Sequence, residues 1–268
     1  MPYIQVNNAN LYYEEHGTGP ETIVFAHGLM WSGLLFEKQV KAFKDNYRCI
    51  TFDFRGQGQS QITESGYDMD SLTEDTAAVI EKLQASPCHF VGLSMGGFVG
   101  LRLGIRYPHL LKSLIFLGTS PDPESYYNLI RYRLLAVVVR LMGTRVVVNK
   151  IMPIMFGEKF IHDNDRSALF EKWKQRIISN RKHGIYRAIK GVINRDGVYD
   201  QLDRISVPTL LIVGDQDVTT PPSKSERIHH RIDNSRLVVI PEVGHTATEE
   251  DTETVNKAII NFMEGYQS

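Results

Sequence analysis

Short apolar runs alternate with amphipathic stretches along most of this chain, and the alternation is interrupted once near the middle. The apolar runs are rich in β-branched and aromatic residues, which predicts strands. They lie at residues 3–6, 11–16, 22–26, 47–52, 88–93, 111–118, 209–214 and 236–240. Helical periodicity predicts helices near residues 34–43, 71–83, 95–107, 222–231 and 252–265. Strands that alternate with helices predict an α/β fold with a mostly parallel eight-stranded sheet and helices on both faces.

The interruption runs from about residue 121 to residue 199, where the pattern is helical and residues 146–148 are the one possible strand. A segment of this length is too long for a simple connection inside a compact domain. We therefore predict an inserted helical cap at residues 122–199, over a core formed by residues 1–121 and 200–268. The many apolar side chains of the cap are expected to form its own core, and its methionines would also suit an acyl-chain pocket.

One local pattern predicts where a helix of the core begins. The tetrapeptide Ser71-Leu72-Thr73-Glu74 has the spacing of a capping box. In such a box the serine side chain accepts from the first turn and the glutamate reaches back to the serine N–H. The pattern therefore predicts that the helix at residues 71–83 is capped by Ser71.

Composition is that of an ordinary globular protein. The chain has 268 residues, of which 42% are apolar and 23% are charged. The net charge of −1 gives no reason to expect nucleic acid or a membrane as a partner. Cys49 and Cys88 lie in apolar runs, so a disulfide is not expected, and the N-terminal residues lack the pattern of a signal peptide. We expect a cytoplasmic protein and predict no particular oligomeric state.

A serine, a carboxylate and a histidine follow three of the predicted parallel strands. Ser94 is the centre of the sequence Gly92-Leu93-Ser94-Met95-Gly96, between a strand and a helix. Asp217 follows the strand at residues 209–214, and His245 follows the last strand. Because the carboxyl ends of parallel strands meet at one edge of a sheet, we expect these three side chains to lie close together.

These are the side chains that nucleophilic hydrolysis requires. A serine hydroxyl is a poor nucleophile at neutral pH, an imidazole can take its proton, and a carboxylate fixes the imidazole tautomer. The resulting oxyanion needs two donors, for which we expect the N–H of Met95 and the N–H of Leu29, in the loop after His27-Gly28. Asp215 and, more remotely, Asp122 remain alternatives for the carboxylate.

Five motifs in order make the chain resemble enzymes of the α/β-hydrolase fold, over nearly its whole length except the cap. They are His27-Gly28, Phe52-Asp53-x-Arg55-Gly56-x-Gly58-x-Ser60, Gly92-x-Ser94-x-Gly96-Gly97, Gly214-x-x-Asp217 and Gly244-His245. The resemblance implies that Ser94 is the nucleophile, Asp217 the acid and His245 the base. It also implies that Leu29 and Met95 supply the oxyanion hole through their backbones.

The serine at position 94 narrows the expected chemistry. Haloalkane dehalogenases and epoxide hydrolases carry aspartate at this position, and dienelactone hydrolases carry cysteine. The motifs are similar to those of N-acyl-homoserine lactonases, 3-oxoadipate enol-lactonases and cofactor-free haloperoxidase or perhydrolase-type esterases. We therefore expect a serine hydrolase of carboxylic esters or lactones, and the apolar cap favours an apolar acyl group over a dicarboxylate lactone.

The expected partner is a small-molecule ester or lactone, and Trp31 and Met155 are the candidates for contacts with it. No metal-binding motif is present in the sequence, so no metal or cofactor is expected. Enol-lactonase-like activity and perhydrolysis, in which peroxide replaces water, remain open. A small-molecule receptor of the same fold is the non-enzymatic alternative.

Overall fold

The eight predicted apolar runs all form strands, within two residues of the expected ends, in a computed structural model that describes residues 2–265 and only the backbone of Tyr127. The strands are β1 (Tyr3–Val6), β2 (Ala9–His16), β3 (Glu21–Ala26), β4 (Tyr47–Phe52), β5 (Cys88–Leu93), β6 (Leu111–Leu117), β7 (Thr209–Gly214) and β8 (Ser235–Ile240). They form one sheet in the order β1-β2-β4-β3-β5-β6-β7-β8. The pairs β1–β2 and β2–β4 are antiparallel and the remaining pairs are parallel, which confirms the predicted sheet.

The helices cover both faces of this sheet. They are α1 (Glu37–Phe43), α2 (Met69–Lys82), α3 (Met95–Arg106), α4 (Tyr126–Met142), α5 (Val148–Met155), α6 (Glu158–Ile161), α7 (Ser167–Ile178), α8 (Lys182–Ile193), α9 (Pro222–His229), α10 (Ala247–Glu250) and α11 (Thr252–Glu264). Side chains of β3 alternate between two apolar cores, with Ile23 and Phe25 in one and Val24 and Ala26 in the other. The first core includes residues of α1 and α11, and the second includes residues of α2 and α3. Burial on both faces is typical of a central parallel strand.

The predicted capping box at the start of α2 is wrong. The helix begins at Met69, and its N-cap is Asp68, whose carboxylate accepts from Ser71 N and from Ser71 Oγ, both at 2.8 Å. The backbone of Asp68 is extended, as an N-cap requires, and aspartate is a strong N-cap residue. Ser71 is therefore the residue that the cap binds, and it already lies inside the first turn.

Five helices, α4 to α8, lie between β6 and β7 in the described part of the chain, within the interval where the sequence predicts the cap. We call them the insertion; the division into a core and a separate cap stays a prediction. The possible strand at residues 146–148 is not formed, because a 3-10 turn covers Thr144–Val146 and α5 begins at Val148. Val147 and Val148 are buried in an apolar core instead, so packing decides the conformation here, and not the β-propensity of valine.

The apolar stretch at residues 134–148 is shared between α4, a 3-10 turn and the start of α5. Gly143, with φ at 80°, ends α4 within this stretch. No helix within residues 2–265 is both long enough and apolar enough to cross a membrane.

Candidate active site

Ser94 lies at a sharp turn between β5 and α3. Its backbone has φ 52° and ψ −109°, a region that residues other than glycine rarely adopt. A Cβ on Gly92 would lie 2.5 Å from Gly96 O, and a Cβ on Gly96 would lie 2.1 Å from Ala26 O, so both positions require glycine. The Ser94 side chain makes no capping hydrogen bond to α3. Its hydroxyl is therefore available at a helix N-terminus, which favours negative charge.

Asp217 and His245 form a buried pair in the loops that follow β7 and β8. His245 Nδ1 lies 2.7 Å from Asp217 Oδ2. Asp217 also accepts from Thr219 N, Thr220 N and Thr220 Oγ1, each at 2.9 Å. Burial by itself raises the pKa of Asp217, but the charge and hydrogen bond of His245 and the bonds from Thr220 together hold that pKa below its usual value. The carboxylate therefore stays ionised at neutral pH.

This pair sets the tautomer of the imidazole. An ionised carboxylate can only accept, so His245 Nδ1 carries the proton and Nε2 presents a lone pair. Ser94 and His245 line the same cavity. The geometry thus places a hydroxyl, an imidazole and a carboxylate from three distant loops at one edge of the sheet.

The other two carboxylate candidates lie elsewhere. Asp215 is exposed, although it is only two positions before Asp217. Asp122 accepts from Lys224 Nζ at 2.8 Å and from Arg227 Nη2 at 3.2 Å. Among the carboxylates weighed from the sequence, the one in contact with the imidazole is therefore Asp217.

His27 fixes the loop that carries Leu29. Its Nε2 accepts from Phe54 N at 3.0 Å, so its Nδ1 carries the proton and donates to Gly28 O at 2.7 Å. Burial lowers the pKa of His27 to about 4, which keeps the ring neutral. The peptide unit is planar, so holding the Gly28 carbonyl also fixes the direction of the Leu29 N–H. Leu29 and Met95 both line the cavity that Ser94 lines.

Two buried polar side chains near the cavity were missed by the sequence analysis. Gln57 Oε1 accepts from Met30 N at 2.7 Å, at a position where Met30 has φ 69°. The glycine-rich motif around Gln57 could have drawn attention to it. Glu250 is the second, and no motif in the sequence around it indicates a role near the cavity.

Glu250 joins the loop of His245 to the insertion. Its carboxylate accepts from Gly157 N at 2.8 Å, Gly244 N at 2.9 Å and Thr246 N at 3.1 Å. Gly157 lies between α5 and α6, whereas Gly244 and Thr246 flank the imidazole. Burial raises the pKa of Glu250, and these three N–H groups act in the opposite direction. The side chain therefore sets the position of His245 relative to the insertion.

The cavity has a volume of about 100 Å³ and is lined by residues of the core loops and of the insertion. Trp31 and Met155, the two predicted substrate contacts, both line it. The Trp31 ring packs edge to face on Trp173, with 5.2 Å between the ring centroids. Among the described residues, no group accepts from the buried Trp31 Nε1. Both candidates thus lie in the wall of the cavity that Ser94 and His245 also line.

Most of the cavity wall is apolar. The insertion contributes Leu135, Ile151, Ile154, Met155, Ile189 and Ile193. Polar side chains also line it, among them Glu124, Tyr132 and Arg195. In residues 2–265, no group of three or more His, Cys, Asp or Glu side chains is arranged to hold a metal ion. The cavity therefore combines a serine hydroxyl and an imidazole with a mostly apolar wall.

Comparison with known proteins gives the same fold over the full length. The chain is 31% identical over 263 residues to a provisionally named non-heme bromoperoxidase of Mycobacterium tuberculosis, covering 95% of this chain and 97% of the relative. It is 29% identical over 254 residues to 3-oxoadipate enol-lactonase 1 of Acinetobacter baylyi, covering 93% and 92% of the two chains. The structure matches a thermophilic esterase from Thermogutta terrifontis with a TM-score of 0.91 at 28% identity, covering 100% and 98% of the two chains.

A family model described as the alpha/beta hydrolase fold matches residues 21–252. This range includes all five motifs named above and the strands β3 to β8. The proteins to which the chain is similar carry names of the esterase and lactonase type. The chain therefore belongs to the α/β-hydrolase-fold family, among hydrolases of the esterase and lactonase type.

Proposed function

We propose that this protein hydrolyses carboxylic esters or lactones through an acyl-enzyme formed on Ser94. The observation that carries the proposal is the buried Asp217–His245 pair, with 2.7 Å between Oδ2 and Nδ1, which opens on the same cavity as Ser94. The nucleophile turn, an ionised carboxylate and an imidazole held in one tautomer are what acyl transfer requires. The esterase and enol-lactonase relatives support the same reaction class.

In the proposed reaction, Ser94 Oγ attacks the scissile carbonyl carbon while His245 Nε2 takes the hydroxyl proton. The N–H groups of Leu29 and Met95 stabilise the tetrahedral oxyanion, and Asp217 stabilises the imidazolium. When the intermediate collapses, the bond between the carbonyl carbon and the alcohol oxygen breaks, and His245 returns the proton to that oxygen. A water molecule, deprotonated by His245, then releases the acyl group and restores Ser94.

The cavity narrows the substrate class. Its volume of about 100 Å³ is below the roughly 300–1,000 Å³ of sites that hold drug-sized ligands. Its wall is mostly apolar, which favours a short apolar acyl group or an acyl lactone over a dicarboxylate. In a lactone the leaving oxygen stays attached to the acyl group, so ring closure would compete with hydrolysis.

The proposal is tested with p-nitrophenyl butyrate and the Ser94→Ala variant. We expect turnover by the wild type to exceed roughly 1 s⁻¹, and the variant to lose about 10⁴-fold or more in kcat because the nucleophile is absent. The matched control is Ser223→Ala, which changes an exposed serine outside the cavity and should leave kcat unchanged. Retained activity in Ser94→Ala would refute the acyl-enzyme, and very slow turnover of every ester and lactone would favour a receptor.

Perhydrolysis is a second candidate, because one relative is named as a non-heme bromoperoxidase. Here hydrogen peroxide would attack the acyl-enzyme in place of water, giving a peracid and free Ser94. Product analysis with acetate ester and peroxide, with Ser94→Ala as control, distinguishes the two. Peracid formation that depends on Ser94 supports this candidate, and formation of acid alone rejects it.

A further inference from the structure

A buried ion pair lines the cavity close to Ser94. Arg195 Nη1 lies 3.0 Å from Glu124 Oε2, and the two side chains are 5% and 13% exposed. Arg195 Cζ lies 4.2 Å from the centroid of the Phe98 ring. Phe98 follows Ser94 by one turn of α3, which is about 6 Å along the helix axis. The guanidinium is therefore within reach of an acyl group attached to Ser94.

Other groups of the protein already bond to both carboxylate oxygens of Glu124 and to most of the guanidinium nitrogens of Arg195. Glu124 Oε1 accepts from Ser125 N at 3.2 Å and from Asn128 Nδ2 at 2.8 Å, and Oε2 accepts from Arg195. Two of the three guanidinium nitrogens of Arg195 are also engaged, since Nε donates to Asp122 O at 3.1 Å and Nη1 donates to Val192 O at 2.9 Å as well as to Glu124.

Two donors remain for a ligand. Within the described part of the chain, no group accepts from Arg195 Nη2, and no group bonds to the hydroxyl of Tyr132. Tyr132 lines the same cavity, where burial and then the charge of Glu124 raise the pKa of its hydroxyl. The hydroxyl therefore stays protonated and can donate. Both residues line the cavity, so these two donors are available to an acceptor atom of a ligand that enters it.

The charge of the pair decides which acceptor fits. A lone buried arginine would select a carboxylate, but here Glu124 already neutralises the guanidinium. A second carboxylate would meet the charge of Glu124 and would also lose its hydration. A carbonyl oxygen accepts the same hydrogen bonds at a smaller desolvation cost.

We propose that Tyr132 and Arg195, with Glu124 as the neutralising partner, form a subsite for an uncharged carbonyl oxygen on the acyl chain of the substrate. The inference rests on the proposed ester or lactone hydrolysis and names its substrate class more closely. The preferred acyl group carries a keto or amide carbonyl several bonds away from the carbonyl that Ser94 attacks.

The test compares esters that differ only in that carbonyl. The p-nitrophenyl esters of 4-oxopentanoic, 5-oxohexanoic and 6-oxoheptanoic acids are paired with those of pentanoic, hexanoic and heptanoic acids. In the wild type we expect kcat/KM to favour the keto ester by at least about threefold in at least one pair, because the neutral hydrogen bond from Tyr132 contributes about that much and the bond from Arg195 adds to it. Tyr132→Phe removes one of the two donors and should therefore lower this ratio by about threefold.

The matched control is Tyr186→Phe, the same chemical change in α8 at a side chain outside the cavity lining. It should leave the keto-to-alkyl ratio at the wild-type value. Unfolding curves of all variants show whether a change in ratio accompanies a loss of fold. If Tyr132→Phe and Tyr186→Phe change the ratio equally, the subsite is refuted.

A second variant tests the role assigned to charge. Glu124→Gln leaves the guanidinium without its anionic partner, so the subsite should now accept a carboxylate. We expect the kcat/KM ratio of the mono-p-nitrophenyl ester of adipic acid to p-nitrophenyl hexanoate to rise by about tenfold, the effect of a charged hydrogen bond. If the Glu124–Arg195 pair only joined the two ends of the insertion, Glu124→Gln would lower kcat/KM for both esters by the same factor. That result would overturn the inference.

The two proposals fail in different ways. If the wild type shows Ser94-dependent hydrolysis but no keto preference in any pair, the subsite is wrong and the hydrolase proposal stands. If no ester is hydrolysed in a Ser94-dependent manner, the hydrolase proposal is wrong and the subsite inference falls with it.

Discussion

At the scale of single residues, the candidate site depends on backbone positions that tolerate very few side chains. Ser94 has positive φ, and the glycines on either side of it meet backbone atoms at 2.5 Å or less from an imagined Cβ. Such strain persists only where the surrounding structure stabilises it. Here β5, α3 and the close approach to Ala26 hold the hydroxyl at the edge of the sheet.

Replacement of the buried carboxylate should remove most of the activity and leave the fold intact. In Asp217→Asn the amide can donate to His245 Nδ1, which favours the tautomer that lacks a lone pair on Nε2. We expect kcat for p-nitrophenyl butyrate to fall by about 10⁴-fold. Asp215→Asn is the matched control, because Asp215 is exposed two positions earlier and should keep wild-type kcat. Equal losses in the two variants would contradict the assignment of the acid.

The neutral state of His27 makes stability depend on pH. Its pKa is about 4 in the folded protein and 6.5 as the ordinary value, so between these values the unfolded chain binds the extra proton. The contribution of His27 to the free energy of unfolding is therefore fully present above pH 6.5. It is lost, by about 3 kcal/mol, as the pH falls towards 4. Burial raises the pKa of Asp53 to about 6, so the effect of Asp53 on stability has the opposite sign. Its contribution to the free energy of unfolding is present below about pH 3.8 and is lost as the pH rises through 6.

The two effects are separated by comparing the wild type with His27→Gln in urea unfolding at several pH values. The Asp53 contribution is common to both proteins and cancels in the difference. We expect the free energy of unfolding of the wild type to fall more steeply between pH 6.5 and 4 than that of the variant. Parallel curves would show that His27 is not buried in its neutral form.

At the scale of elements, α10 is a four-residue helix that links the imidazole loop to the insertion. Glu250 ends this helix, is 5% exposed and accepts three N–H groups. Such a carboxylate can hold two separate segments in one geometry. The position of His245 therefore depends on an element outside the strands that the hydrophobic pattern predicts.

Loss of this carboxylate should affect stability and activity together. Glu250→Ala leaves three buried N–H groups without their acceptor, which should lower the free energy of unfolding by roughly 2–5 kcal/mol. We also expect kcat to fall, because the loop of His245 loses its support. Glu253→Ala, an exposed glutamate of α11 paired with Lys257, is the control and should leave both quantities unchanged. Wild-type kcat in a well-folded Glu250→Ala protein would contradict the positioning role.

Among the elements, the strands follow local sequence more closely than the start of α2 or the valines at residues 146–148 do. Apolar runs predict every strand within two residues. The signal is strongest for β3, β5 and β7, because strands buried on both faces need an uninterrupted apolar sequence. The predicted start of α2 is wrong, because Asp68 and Ser71 are both favoured N-cap residues and the local sequence does not decide between them. Residues 146–148 are valines in a helical environment, and neighbouring helices decide their conformation.

At the scale of the whole molecule, the cavity exists only because the insertion lies over the loops at the carboxyl edge of the sheet. Ser94 and His245 come from the core, and Met155 comes from the end of α5. In the proposed reaction, the space between them, about 100 Å³, sets the length of acyl chain that fits.

Enlarging this space should shift the preferred substrate. We expect kcat/KM on p-nitrophenyl esters to peak at short acyl chains in the wild type and at longer chains in Met155→Ala, since the truncated side chain leaves room for added methylenes. Each methylene that gains an apolar contact contributes about 0.8 kcal/mol. Met142→Ala, at a methionine that is 65% exposed at the end of α4, is the control and should keep the wild-type optimum. An unchanged optimum in Met155→Ala would place the acyl chain elsewhere.

The sequence alone determined the succession of strands along the chain and the interval of the insertion, and it predicted Ser94 and His245 as site residues, with Asp217, Asp215 and Asp122 as candidate carboxylates. These features follow from local periodicity and from residue types that recur beside strand ends. The tertiary structure decided that Asp217, and not Asp215, contacts the imidazole, and that Glu250 supports its loop. It also decided that Glu124, Tyr132 and Arg195 line the same cavity as Ser94. Contacts between positions tens of residues apart are set by how helices and loops pack, and packing is not encoded in any short stretch of the chain.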